Sequence, residues 1–189
     1  MRTALEKGFG VESDVRDSLR RLVISHDISD SKCLDAEKIF ELLREFEDSF
    51  CFAINIKADG LKNLLKNLIE NYNISNYFLF DMSIPQMIEF QELGLRFFTR
   101  QSEVEPYPNM LDKAAGLWID GFYNTDWITE NLLSQYIKND KEICLVSPEL
   151  HGRINYKDFW ERIKNFRIDF SKIMLCTDRP DEARCFFSE

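Results

Sequence analysis

The sequence predicts an α/β fold of the (β/α)8 barrel type in a single domain, residues 1–189. Short apolar runs alternate along the chain with segments of helical spacing, and each apolar run ends in polar or charged residues. Near-continuous apolar runs are typical of parallel strands covered by helices, which build either an open sheet or a closed barrel. The chain lacks the glycine-rich phosphate loops of nucleotide-binding open sheets. Because a barrel assembles its site from the ends of many strands, the polar strand ends favour the barrel.

The predicted elements follow one another in order along the chain. The predicted strands fall within residues 11–17, 51–60, 77–83, 95–103, 116–122, 142–152 and 172–180. Between them lie the segments of predicted helix, residues 35–48, 61–72, 83–93, 105–115, 127–139 and 156–166. Ser83 with Gln86 predicts a capped helix start, and Gly94 predicts the end of that helix. Seven strands are one fewer than a closed barrel needs.

The beginning of the chain suggests where the eighth strand would belong. Residues 1–10, MRTALEKGFG, are typical of the last turns of a helix that ends at Gly8 or Gly10. We therefore expect the first strand of the barrel to be missing from this chain. Its loss would leave Val11–Val15 and Ile173–Cys176 each with an unpaired edge. We expect either an upstream extension that encodes a strand ending in a histidine or, if Met1 is the true start, completion of the barrel by a second copy of the chain or a partner segment.

Composition excludes several classes of function. Acidic residues outnumber basic ones by 33 to 24, and a net charge of −9 disfavours binding to nucleic acids and to anionic membrane surfaces. The five cysteines form no metal-binding or disulfide pattern, which indicates reduced thiols in the cytoplasm. The sequence contains neither an export signal nor an apolar run long enough to span a membrane.

The segment VESDVR places two carboxylates on one face of a strand. Glu12 and Asp14 alternate with Val11, Ser13 and Val15, and lie about 6.6 Å apart along the strand. Paired carboxylates suit one hard cation, Mg²⁺ or Ca²⁺. The next apolar run follows a short turn, which predicts an antiparallel hairpin that brings His26 beside the carboxylates.

The run GFGVESDVRDSLRRLVISHD resembles the segment of glycerophosphodiester phosphodiesterases in which a Glu-x-Asp strand is followed by a short turn and a strand ending in His-Asp. The resemblance extends along the chain, because INIKADG, FLFDMS, FTRQSE, GLWIDGF, VSPELHGR and LCTDRPDEA are similar to strand ends of a small bacterial branch of that family. It implies a barrel enzyme that hydrolyses a glycerophosphodiester, or a related small phosphodiester, to an alcohol and a phosphomonoester. Members of the family use one divalent metal and two catalytic histidines.

The resemblance assigns roles to individual residues. Glu12 and Asp14 correspond to metal ligands, and Asn55 stands where many members carry a third carboxylate ligand. His26 corresponds to one catalytic histidine, and Lys57 to the lysine that faces the substrate phosphate. Further substrate contacts are predicted at strand-end positions, namely Arg100, Trp118 and Glu149. Alternatively, Arg100 forms an ion pair with Glu103 and does not contact substrate.

The family motif His-Arg-Gly, which carries the other catalytic histidine, is absent from this chain, and its second histidine is His151. This leaves a second hypothesis, in which the protein binds a phosphodiester without cleaving it. A third hypothesis makes Lys57 the Schiff-base lysine of an aldolase-like barrel. The carboxylates near Lys57 argue against the neutral amine that this chemistry requires.

Overall fold

The computed structural model describes residues 1–46 and 50–188, which fall into two compact units, Met1–Phe98 and Thr99–Glu189. Strands and helices alternate in each unit, and parallel strand pairs occur in both. The predicted α/β class is therefore confirmed, whereas barrel closure and a single domain over residues 1–189 stay predictions. None of the helices in the described part of the chain is long and apolar enough to cross a membrane.

The first unit is built on a five-stranded sheet with the strand order β3-β2-β1-β4-β5. The strands β1, β4 and β5 are parallel, and β2 and β3 are antiparallel additions at one edge. The elements are α1 (Arg2–Glu6), β1 (Val11–Ser18), β2 (Arg21–Ile24), β3 (Leu34–Asp35), α2 (Glu37–Arg44), β4 (Phe52–Ile56), α3 (Lys62–Asn71), β5 (Tyr77–Phe80) and α4 (Ile84–Glu92).

The predicted hairpin and helix cap of the first unit are confirmed. Val15–Ser18 of β1 pair with Arg21–Ile24 of β2 across a tight turn. The Ser83 hydroxyl accepts a hydrogen bond from the backbone N–H of Gln86 at the start of α4, as its position before Pro85 predicts. The hairpin and the helix cap could be predicted because each depends on a few neighbouring residues.

Aromatic side chains form much of the core of the first unit. Phe52 and Ile54 of β4 and Phe78 and Phe80 of β5 are almost fully buried. Phe78 stacks on Phe98 with ring centroids 3.9 Å apart. Burying such side chains contributes about 1.5–3 kcal/mol each, so this core holds the carboxyl ends of β1, β4 and β5 in fixed register.

The second unit contains a four-stranded sheet with the order β6-β7-β8-β9. The neighbours β7 and β8, and β8 and β9, are parallel. Its core packs Trp160 against residues of β7 and β8, including Leu117 and Leu145. The elements are β6 (Phe98–Gln101), β7 (Gly116–Ile119), α5 (Glu130–Lys138), β8 (Glu142–Val146), a short 3-10 helix (Pro148–His151), α6 (Tyr156–Lys164), a second 3-10 helix (Phe170–Lys172), β9 (Ile173–Cys176) and α7 (Pro180–Ser188).

Several predicted boundaries are wrong. Residues 105–115 form turns and no helix, because Pro106 and Pro108 each remove a backbone donor and restrict the residue before them. Strand β3 and helix α7 were not predicted. Of the β1 edge Val11–Val15 that was expected to be unpaired, only Val15 lies in the register with β2. The last two residues of the predicted helix 35–48 lie outside the described residues.

Candidate active site

The predicted metal ligands lie on two adjacent parallel strands of the first unit. Ser13 is buried in β1, while Glu12 and Asp14 project from the more accessible face, as the alternation predicts. Asp14 is in direct register with Asn55 of β4. Neighbouring strands are about 4.8 Å apart, so these three oxygen-bearing side chains occupy one small area of the sheet.

The electrostatics of this area are unfavourable in the absence of a cation. Partial desolvation, and next the negative charge of Asp14, raise the pKa of Glu12 to about 7. A hydrogen bond from the Asn55 side chain opposes this rise. The amide oxygen of Asn55 is buried and has no hydrogen-bond partner among the described residues. An unsatisfied buried acceptor beside two carboxylates is the arrangement that a bound cation would stabilise.

Lys57 follows β4 and lies between two carboxylates. Its Nζ is 3.0 Å from Oδ2 of Asp81 and 3.5 Å from Oδ1 of Asp14. The lysine side chain is only 16% exposed. The two ion pairs fix the position of this side chain, and the Schiff-base role of Lys57 stays a hypothesis.

His26 lies just beyond β2, at the end of the hairpin. The backbone N–H of the preceding residue, Ser25, donates to the Asp14 carbonyl, which ties this segment to β1. Nδ1 of His26 is 2.9 Å from Oδ1 of Asp27, and the ring is 70% exposed. The histidine is close enough to Glu12 to influence its pKa. The second ring nitrogen, Nε2, is the one that this contact leaves for proton transfer.

A search of the described residues finds no group of three or more His, Cys, Asp or Glu side chains arranged to hold a metal ion. The predicted ligand set differs in kind, because it consists of Glu12, Asp14 and the amide of Asn55. Mg²⁺ and Ca²⁺ accept both carboxylate and amide oxygens. The donor set therefore fits a hard divalent cation.

The predicted substrate-binding residues of the second unit have protein partners. Nε of Arg100 is 3.0 Å from Oε2 of Glu105. Trp118 is 9% exposed. The carboxylate of Glu149 accepts hydrogen bonds from the hydroxyls of Ser147 and Thr177. Substrate binding by Arg100, Trp118 and Glu149 stays a prediction.

Glu103, the alternative partner predicted for Arg100, binds a loop of the second unit. Its carboxylate accepts the backbone N–H groups of Phe122 and Asn124, each at 3.1 Å, and that of Tyr123 at 2.5 Å. Desolvation acts to raise the pKa of Glu103, but these three hydrogen bonds outweigh it and hold the pKa below its usual range. Glu103 thereby fixes the loop that follows β7.

A carboxylate–imidazole pair in the second unit was missed by sequence reasoning. Nε2 of His151 lies 2.6 Å from Oδ1 of Asp120, and the imidazole makes a T-shaped contact with the Phe122 ring, with centroids 5.5 Å apart. Burial raises the pKa of Asp120, and the hydrogen bond from His151 opposes that rise. The sequence held a signal for this pair, because Asp120 directly follows the strand β7 and His151 lies in the 3-10 helix after the neighbouring parallel strand β8.

Two solved structures resemble this chain over nearly its whole length. A glycerophosphodiester phosphodiesterase from Parabacteroides distasonis matches with a TM-score of 0.75 and 13% identity, over 100% of this chain and 89% of the other. A glycerophosphodiester phosphodiesterase from Agrobacterium tumefaciens matches with a TM-score of 0.67 and 16% identity, over 99% and 90%. The chain shares the fold of these phosphodiesterases. No protein-family model and no curated protein sequence matches it.

The resemblance to glycerophosphodiester phosphodiesterases predicted from sequence motifs is thus confirmed at the level of the fold. Within the first unit of this phosphodiesterase-like fold, Asp14 and Asn55 form the next-to-last pair of the parallel register between β1 and β4, and Lys57 and Asp81 directly follow β4 and β5. Sites of α/β proteins form at these strand ends. The ion pair of Asp81 with Lys57 was not foreseen from the sequence.

Proposed function

We propose that the first unit carries the metal site of a hydrolase that converts a glycerophosphodiester, or a related small phosphodiester, to an alcohol and a phosphomonoester. The observation that carries the proposal is the cluster of Glu12, Asp14 and Asn55, in which a buried amide oxygen has no hydrogen-bond partner within the described part of the chain and a carboxylate has a raised pKa. Lys57 and His26 border this cluster. The fold shared with two glycerophosphodiester phosphodiesterases supports the same assignment.

One divalent cation, Mg²⁺ or Ca²⁺, is the cofactor of this proposal, with Glu12, Asp14 and Asn55 as its protein ligands. When bound, the cation supplies Lewis-acid polarisation of a phosphoryl oxygen. Its positive charge would also relieve the repulsion between the two carboxylates and satisfy the Asn55 oxygen. This agrees with the preference of hard cations for oxygen ligands.

Lys57 and His26 provide the remaining chemistry in this proposal. The Lys57 ammonium lies between Asp14 and Asp81 and offsets negative charge that develops on the phosphoryl oxygens. Asp27 orients the His26 ring through Nδ1, which leaves Nε2 to donate a proton to the departing alkoxide. A proton transfer of this kind is worth about 10²–10⁴-fold in rate.

A second candidate function is phosphodiester binding without cleavage. It is favoured by the single imidazole near Glu12, because proton transfer to the leaving group and from the attacking nucleophile are usually divided between two groups. We also propose a (β/α)8 barrel fold and a cytoplasmic location. A second copy of the chain or a partner segment completes the barrel in this proposal. The fold and the location are supported by the strand–helix alternation and by the composition of the chain.

The experiment is a ³¹P NMR assay of glycerophosphocholine or glycerophosphoethanolamine with the purified protein and Mg²⁺ or Ca²⁺. We expect conversion of the diester signal to a monoester signal, with loss of turnover in EDTA and in Asp14→Asn. Asp17→Asn is the matched control, because Asp17 is exposed on the same strand. Binding of the diester without conversion would support the second candidate, and turnover that is unchanged in EDTA would contradict the metal site.

A further inference from the structure

Asp81 has a backbone conformation that few residues adopt. It lies directly after β5 with φ of 68°, in the left-handed region, between the buried residues Phe80 and Met82. Non-glycine residues in this region are strained, although Asp and Asn tolerate it best. Such strain persists where the surroundings hold it in place, and it is concentrated at functional sites. We therefore expect the contacts of the Asp81 side chain to give this strained position a function.

The side chain of Asp81 contacts Lys57. The distance from Asp81 Oδ2 to Lys57 Nζ is 3.0 Å, shorter than the 3.5 Å from Lys57 Nζ to Asp14 Oδ1. Lysine is a flexible side chain that loses rotamer entropy when it is fixed. Asp81 thus favours one position of the ammonium. The contact of the ammonium with Asp14 is the longer and weaker of the two.

Other contacts hold the same two loops together without Lys57. The Ser83 hydroxyl donates to the Asp59 carboxylate at 2.7 and 2.8 Å. The buried Gln86 side chain accepts the backbone N–H groups of Gly60 and Leu61. The loop after β4 is therefore attached to the loop after β5 independently of the contact between Lys57 and Asp81. The position of the ammonium can therefore change while the backbone of the two loops stays in place.

We propose that Asp81 is a positioning residue, which holds the Lys57 ammonium at the candidate site and keeps it from forming a closer ion pair with Asp14. Asp14 then remains available as a cation ligand, and Lys57 keeps the place where it meets a phosphoryl oxygen. The consequence for catalysis rests on the proposed function. The positioning of the ammonium does not depend on that function.

The variant Asp81→Asn tests this with little change in the backbone, because Asn also tolerates the left-handed region. Asp59→Asn is the matched control, since it removes the same charge from the neighbouring loop and weakens the contact with Ser83. The first readout is the ¹H–¹⁵N signal of the Lys57 ammonium in the whole protein, assigned by its disappearance in Lys57→Met. We expect Asp81→Asn to shift or broaden this signal and Asp59→Asn to leave it in place.

The second readout is the kinetics of diester hydrolysis. Asp81→Asn should lower kcat about tenfold with KM changed less than about twofold, because the ammonium acts on charge that develops in the transition state. In the Lys57→Met background, Asp81→Asn should have no further effect on kcat. An ammonium signal that is the same in Asp81→Asn and in the parent protein would overturn the proposal. Absence of turnover in the parent would refute the proposed function alone, since the NMR readout requires no substrate.

Discussion

Replacing Glu12 by Gln should stabilise the metal-free protein at alkaline pH. The pKa of Glu12 rises from 4.5 to about 7 on folding, mainly through desolvation and then through the charge of Asp14. At about 1.4 kcal/mol for each pKa unit, the change from 4.5 to about 7 would amount to roughly 3.5 kcal/mol for a fully buried carboxylate. Since Glu12 is solvent-accessible, screening reduces the gain that we expect from Glu12→Gln to about 1 kcal/mol.

The sign of the effect depends on pH. Because the folded pKa of Glu12 lies above the unfolded value, the folded state binds the extra proton, and stability falls as pH rises from about 4.5 to above 7. The free energies of unfolding of Glu12→Gln and the parent should therefore be nearly equal at pH 4.5. At pH 8 the variant should be more stable.

The assay is urea unfolding in EDTA at several pH values, followed by repetition at pH 8 with saturating Mg²⁺ or Ca²⁺. The parent should gain stability with the cation, by about 2.7 kcal/mol at a concentration a hundred times the Kd, and the variant should gain much less. Asp17→Asn, on the exposed part of the same strand, should show neither effect. A Glu12→Gln variant that is less stable than the parent in EDTA at pH 8 would refute the destabilisation assigned to the Glu12 carboxylate.

Three further predictions concern catalysis, a loop and the core. His26→Ala should lower kcat about a hundredfold or more without altering the urea midpoint, because the ring is 70% exposed; an unchanged kcat would remove His26 from the mechanism. Glu103→Ala should cost about 1 kcal/mol in the free energy of unfolding near pH 7, since three backbone N–H groups lose their acceptor. Because the folded pKa of Glu103 is lowered, this difference between parent and variant should shrink as pH falls below 4.5, and a difference that grows in acid would contradict it. Phe78→Ala should cost about 3–5 kcal/mol by urea unfolding, whereas Ile88→Ala on the exposed face of α4 should cost about 0.5 kcal/mol or less; equal losses would disprove the assigned core.

The sequence predicted those features that depend on neighbouring residues. The alternation in VESDVR predicted the shared face of Glu12 and Asp14, and the short turn after β1 predicted the hairpin that carries His26. The Ser83 cap was predictable for the same reason, because its hydrogen-bond partner is three residues away. These features depend on residues that are close in sequence, so the sequence is sufficient to predict them.

Features that depend on the order of strands in the sheet were not predictable in the same way. The contacts of Lys57 with Asp81 and of Asp120 with His151 join residues 24 and 31 positions apart, and they form only when parallel strands become neighbours. The left-handed conformation of Asp81 has no local sequence signal, since aspartate also occurs in ordinary turns. Sequence reasoning thus found the carboxylates and missed the ion pairs that arrange them.

The central claim, a divalent cation held by Glu12, Asp14 and Asn55, is tested most directly by crystals soaked in Mn²⁺, which substitutes for Mg²⁺ and scatters anomalously. We expect one anomalous peak at about 2.0–2.4 Å from a carboxylate oxygen of Glu12, a carboxylate oxygen of Asp14 and the amide oxygen of Asn55. The same soak of Asp14→Asn crystals should give no peak there. A peak elsewhere, with these three side chains unchanged from the structure described above, would contradict the account.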